Sequence, residues 1–173
     1  MIKVEDIAYV RFAAPDLDRM QEFARDFGLT LTARQNDVLY HRGSDASSYV
    51  HVTEQGEAGF LGMAFEAASA EDLIAASQME GASSVEKIEA PGGGQRVCFT
   101  DLDGYGVEVV HGRKKLSVLD VPTSLGVNRG SDRQRFGQLH RPPVGASLVK
   151  RLGHAVIRVA DFRRSEEWYK SRF

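Results

Sequence analysis

The stretch Leu152-Gly153-His154-Ala155-Val156-Ile157-Arg158-Val159-Ala160-Asp161, which runs on as FRRSEEWYKSRF to Phe173, decides how the whole sequence reads. Laid without gaps against Ile7-Ala8-Tyr9-Val10-Arg11-Phe12-Ala13-Ala14-Pro15-Asp16, it repeats the same order of features, and Trp168 then falls on Phe23. Each copy alternates faces with period two, as a strand does, and then reaches an aspartate. Asp16 and Asp161 are each placed to accept the free N–H groups of a first helical turn. Behind Asp16, Leu17, Met20, Phe23 and Phe27 recur at helical spacing and are expected to form one buried stripe.

A third copy begins at Leu61-Gly62-Met63-Ala64-Phe65, with Ser69 as cap and Leu73, Ile74 and Ala76 in the helix that follows. The first copy continues into strands at Val38–His41 and Ser48–Val52, and the second into Arg96–Thr100 and Gly106–Val110. Asp101-Leu102-Asp103-Gly104 supplies the hairpin turn between the last two. Weaker strands are expected near Thr30–Ala33 and Val85–Glu89. The organisation is β-α-β-β-β, complete at about 3–54 and 57–112, with a third unit opening over 146–173. The fold class is α+β, with paired modules forming an incomplete barrel-like sheet. Residues 113–145 have few apolar positions in any period and read as a long linker, with one strand at Leu116–Val121.

The totals exclude several functions. A formal net charge of -2 over 173 residues gives no reason to expect a nucleic-acid partner. The longest basic run, Arg113-Lys114-Lys115, reads as a solvated connector. One cysteine, Cys98, rules out an intramolecular disulfide framework and reads as a small buried apolar residue. No stretch approaches the roughly 20 apolar residues of a membrane span, and the N-terminus lacks a signal-peptide pattern. A soluble, cytoplasmic protein is expected. The glycines of APGGGQRV, Ala90–Val97, lead into a strand with no Lys-Ser/Thr after them, which points to a wide turn and not a phosphate loop.

Paired modules of this spacing, with LGHAVIRVADFRRSEEWY at the third unit and DLDGYGVEVVHG closing the second, resemble the vicinal oxygen chelate superfamily of glyoxalases, bleomycin-resistance proteins and type I extradiol dioxygenases. Two modules, a linker and a third opening resemble the N-terminal part of an extradiol ring-cleaving dioxygenase. The resemblance implies four modules in two barrel-like domains, of which the first pair is catalytically silent. The second pair holds Fe(II), or Mn(II) as an alternative, on two histidines and a glutamate, and acts on a small aromatic diol with O2. His154 matches the first metal-ligating histidine. The other two positions would lie beyond Phe173, so the chain by itself is expected to be inactive and metal-free, without catalytic or cofactor-binding residues of its own.

In the complete pair, the same resemblance carries the ligand positions onto Tyr9, Met63 and Glu108, with a fourth, glyoxalase-type position on His51. Alternation puts Tyr9 and Arg11 on one strand face and Glu108 opposite Val107 and Val109. Only His51 and Glu108 are good ligands for hard or borderline metals, and two are too few for a usual catalytic site. A filled interior with Glu108 hydrogen-bonded to Tyr9 or Arg11 is expected instead. His41, His111 and His140 read as surface residues. Two other functions stay open: a self-contained two-module protein of the glyoxalase or bleomycin-resistance kind, binding a small ligand or metal chelate, and a structural or interaction role. A homo-oligomer is expected. Ser147–Phe173 should pack on another surface or exchange with a second chain, because Ile157, Trp168 and Tyr169 would otherwise leave an apolar patch in water.

Overall fold

The computed structural model describes residues 1–121 and 147–173; most of the expected linker, and His140 within it, lie outside the described residues. The first module comprises β1 (Val4–Ala14), α1 (Leu17–Phe27), β2 (Thr30–Gln35), β3 (Val38–Arg42) and β4 (His51–Gln55). The second comprises β5 (Gly59–Ala67), α2 (Ala70–Ser77), β6 (Glu86–Lys87), β7 (Gln95–Thr100) and β8 (Gly106–His111). A third helix, α3 (Phe162–Arg172), closes the described chain. The strands form one curled eight-stranded mixed sheet in the order β2-β3-β4-β1-β5-β8-β7-β6. β1 and β5 run antiparallel at its centre, and each is flanked by the parallel closing strand of its own module. This is the α+β pair of βαβββ modules expected from the repeat.

The helix starts are set as the sequence implies. Asp16 accepts the Arg19 N–H at 2.9 Å, the Ser69 hydroxyl accepts that of Asp72 at 3.1 Å, and Asp161 accepts that of Arg164 at 3.1 Å. Gly28, at φ 103°, ends α1 with its N–H turned back to the Ala24 and Arg25 carbonyls. The buried stripe of α1 differs from expectation. Leu17 and Ala24 take the sheet contact, while Phe23 and Phe27 are 60% and 56% exposed and stack on each other at 5.9 Å. Small Ala24 lets the helix lie close to the sheet, and that rotation carries the two rings to its flank.

Two strands are displaced. β4 begins at His51, three residues later than expected, because Ser48–Val50 cross over as a connector whose Val50 N–H donates to the His41 carbonyl. β6 is only two residues long, for Ile88 bonds to Gly94 across the glycine turn. No strand forms at Leu116–Val121. Leu116 and Leu119 donate instead to the carbonyls of Ala46 and Ser44.

The third opening strand also fails to join a ladder: residues 147–160 are outside any strand. The physical reason is the sheet itself. β1 and β5, the strands it resembles, are paired on both sides, so neither offers it an edge. The segment lies over the β7–β8 hairpin, where the Ala160 N–H donates to Asp103 Oδ1 at 2.8 Å. Further back, the carbonyls of Val149 and Lys150 accept from Ser44 and Asp45. A Cβ on Gly43 would stand 2.2 Å from the Lys150 carbonyl oxygen. Gly43→Ala is therefore expected to lift residues 147–150 from the first module. Hydrogen exchange at the Ser44 and Asp45 amides should accelerate by at least about tenfold while the central ladder stays protected.

Helix α3 packs on its own chain. Trp168, Tyr169 and Phe173 complete the apolar layer of the second module, formed by Ile2, Ala67, Leu73, Ala76, Val97, Phe99, Val107 and Val109. Tyr169 donates to Asp101 Oδ2 at 2.8 Å, and Ile2 donates to the Arg172 carbonyl at 2.8 Å. Among the described residues, no helix is long and apolar enough to cross a membrane.

Candidate functional site on the concave face

The inner face of the sheet encloses a cavity of about 340 Å3. Strand alternation decides what lines it. On β8, Val107 and Val109 enter the outer core while Glu108 and Val110 turn inward. On β1, Tyr9 and Arg11 turn inward; on β4, Val52 and Glu54 do so, joined by Tyr40 of β3, Tyr49 and Arg96 of β7. The facing expected for Tyr9, Arg11 and Glu108 is the one observed.

Glu108 is 2% exposed and sits at the centre of a charge network. Its Oε2 accepts from the Tyr9 hydroxyl at 2.5 Å, and its Oε1 from Arg11 Nη1 at 2.6 Å. Arg96 Nη1 adds a longer contact to Oε2 at 3.4 Å. Arg11 also spans to Glu54, with Nε 2.9 Å and Nη2 2.5 Å from Oε1, and Arg96 reaches Glu86 at 3.2 Å. Burial, reinforced by the Glu108 charge, pushes the Tyr9 phenol well above its ordinary pKa of 10. Burial works against the charged Arg11 guanidinium, but Glu108 and Glu54 outweigh it and hold its pKa above the usual value.

Arg113 is the residue that sequence reasoning missed. Its side chain is only 7% exposed, with the guanidinium carbon 4.2 Å above the Tyr49 ring and 5.0 Å above that of Tyr9. It donates to the Tyr49 carbonyl at 2.8 Å and to the Ser48 hydroxyl at 3.2 Å. Within Arg113-Lys114-Lys115 only the two lysines are exposed, as a connector would have them. Nothing in the run marks its first member as the one that turns in.

The ligand positions carried over from the resemblance do not converge. Tyr9 and Glu108 share the concave face. Met63 stands opposite Val10 and beside Val107 in the ladders, which places it on the outer face. His51 also lies outside, stacked on Phe12 at 5.2 Å, since Val52 and Glu54 take the inward positions of β4. Burial, with His41 nearby, lowers the His51 pKa to about 4. His41 is 1% exposed and corrects the surface reading, and burial lowers its pKa too. His154 is exposed.

A divalent metal does not fit the concave face. Both oxygens of its one fully buried carboxylate accept from Tyr9, Arg11 and Arg96, and the two cationic guanidinium groups line the same cavity. Among the described residues, no three of His, Cys, Asp or Glu stand close enough to hold a metal. The arrangement is one of internal neutralisation, with three tyrosine rings and Val38, Val52 and Ile88 as apolar walls.

No protein-family model and no curated protein matches the chain. Solved structures do. The Mn(II)-bound glyoxalase from Novosphingobium aromaticivorans is similar at TM-score 0.63 and 23% identity, over 70% of this chain and 44% of that one. Homoprotocatechuate 2,3-dioxygenase from Brevibacterium fuscum, in complex with 3,4-dihydroxyphenylacetate, is similar at TM-score 0.59 and 21% identity, over 68% and 40%. A catechol 2,3-dioxygenase is similar at TM-score 0.67 and 19% identity, over 98% of this chain and 55% of that one. The chain thus spans about half the length of these structures, or less. At such identities the shared property is the backbone architecture, and this chain has the paired-βαβββ fold of the glyoxalase and ring-cleaving dioxygenase structures.

Proposed function

We propose that this chain is the N-terminal part of an Fe(II)-dependent, cytoplasmic extradiol dioxygenase that cleaves a catechol-like ring with O2 in aromatic breakdown. Residues 1–112 are the silent module pair, 113–145 the linker and 146–173 the opening of the catalytic domain. His154 is the metal ligand this chain contributes, and the intact protein self-associates. The observation that carries the reading is the likeness to catechol 2,3-dioxygenase. It extends over 98% of this chain, third unit included, and over 55% of that one. The sealed Glu108 supports a silent first pair, because its charge is already neutralised by two arginines and its oxygens are already hydrogen-bonded, so a metal would have to displace them.

A polypeptide extended by about one further domain tests it. It is expected to retain about one iron per chain and to consume O2 with catechol, whereas residues 1–173 alone should do neither. His154→Ala in the extended protein should lower iron content and ring cleavage together by at least about a hundredfold. Cleavage by residues 1–173 alone, or full iron content after His154→Ala, would overturn the assignment. The concave cavity of about 340 Å3 favours one second reading, a self-contained pair that binds a small ligand there. Catechol or a metal chelate bound by residues 1–173, and lost in Tyr49→Ala, would support that reading.

A further inference from the structure

The outer face of the first module carries an arrangement that the proposed activity does not use. His41 on β3 and His51 on β4 are directly opposite each other in an antiparallel ladder, so both project from the same face, beneath α1. Their ring centroids are 6.2 Å apart with planes at 69°. His41 is 1% exposed, yet neither of its ring nitrogens has a hydrogen-bond partner among the described residues. A buried donor or acceptor left unpaired costs about 1–3 kcal/mol, so a wholly unpartnered imidazole is an uncommon thing for a core to keep. His51 Nδ1 has only a long contact, 3.4 Å, to the Thr53 hydroxyl.

Space is available beside His41. A cavity of about 240 Å3 is lined by His41, by Leu29, Thr30 and Leu31 along β2 and its approach, and by Gln21, Glu22 and Arg25 of α1. Arg25, which also lines it, pairs with Asp26 at 3.1 Å. Glu22, exposed and without an ion pair among the described residues, lines the same cavity as His41. Among the described residues no three such donors stand together, so Glu22 would join the two histidines only as an ion binds.

We infer that His41 and His51 bind a borderline divalent transition-metal ion beneath α1, with Glu22 as third ligand, at a site separate from the concave face. Imidazole suits Zn, Ni and Cu better than Mg or Ca. At metal–nitrogen distances of about 2.0–2.1 Å, two imidazoles on one ion have centroids roughly 5–6 Å apart, which the pair reaches with a small side-chain rotation. The ion would tie α1 to β3 and β4, and its role is in holding the helix, not in ring chemistry.

The probe is Zn2+ alone, titrated calorimetrically into the untagged, chelator-treated chain of residues 1–173 with no aromatic substrate present. The expected result is one Zn2+ per chain with micromolar dissociation, and a raised melting temperature. His41→Asn and His51→Asn should each weaken binding by about 10–100-fold, and Glu22→Gln, at the surface and without consequence for folding, by about tenfold. His154→Ala should leave the titration unchanged, which separates this site from the proposed iron site. Absence of binding by the unaltered chain, or binding that survives the two histidine variants, would overturn the inference. Survival in all variants would show an adventitious surface ion. An unchanged titration in Glu22→Gln would remove the carboxylate from the site.

Discussion

Glu108→Leu is expected to lower the unfolding free energy by about 2–4 kcal/mol, measured by urea denaturation at pH 7. The substitution leaves the Tyr9 hydroxyl unpaired in a buried setting, and leaves Arg11 and Arg96 each with a single remaining carboxylate. Breaking a buried pair ordinarily costs about 3–5 kcal/mol, but here the arginine side chains are 26% and 36% exposed and can partly rehydrate. The combined variant Tyr9→Phe, Arg11→Met, Glu108→Leu should recover most of the loss, since an apolar set of similar volume needs no neutralisation. A loss under about 0.5 kcal/mol in Glu108→Leu would mean that the network does not hold the barrel interior together.

The same network sets an alkaline limit. Burial raises the pKa of Tyr9 foremost, and also those of Tyr49 and Tyr40. The folded state therefore keeps protons that the unfolded chain releases above pH 10. Stability is fully present below that pH and is lost as pH rises through the folded-state values. Tyr9→Phe should flatten this decline, and an unchanged slope would place the cause elsewhere.

The gapless match of Leu152–Asp161 to Ile7–Asp16 was enough to read both modules, because period and capping are local properties. Asp16, Ser69 and Asp161 all cap as their positions imply. The inward pairing of Tyr9 with Glu108 was legible for the same reason: Tyr9 and Arg11 alternate with Val10, and Glu108 with Val107 and Val109. His51 was not, since its facing depends on where β4 begins, and that is set by a connector crossing at Ser48–Val50. Met63 failed through register. A gapless repeat aligns it with Tyr9, but in the β1–β5 ladder Tyr9 stands opposite Ala64 and Met63 opposite Val10, one position off and therefore on the other face. Arg113 and His41 are buried by tertiary closure, which no window of neighbouring residues reports. The third opening strand needs a free sheet edge, and strand propensity in Val156–Val159 cannot provide one.

Trp168→Ala combined with Phe173→Ala is expected to release α3 while the eight-stranded sheet remains folded. Eleven residues are too few for a stable isolated helix in water, where about 12–15 is already marginal, so α3 exists because it is docked. Its contacts are concentrated in few rings: Phe99 meets Trp168 at 6.4 Å and Phe173 at 5.9 Å, and Phe65 meets Phe173 at 5.3 Å. Each aromatic-to-alanine change removes up to about 3 kcal/mol from such half-buried contacts, more in sum than a short helix holds by itself. Exchange protection should vanish across residues 162–173 and at the Ile2 amide, which donates to the Arg172 carbonyl. The amides of β1, β5 and β8 should stay protected, because their ladders do not depend on α3. Loss of protection throughout the sheet would instead make α3 an integral wall of the second module. In that case the opening of the third unit could not leave the first pair without unfolding it.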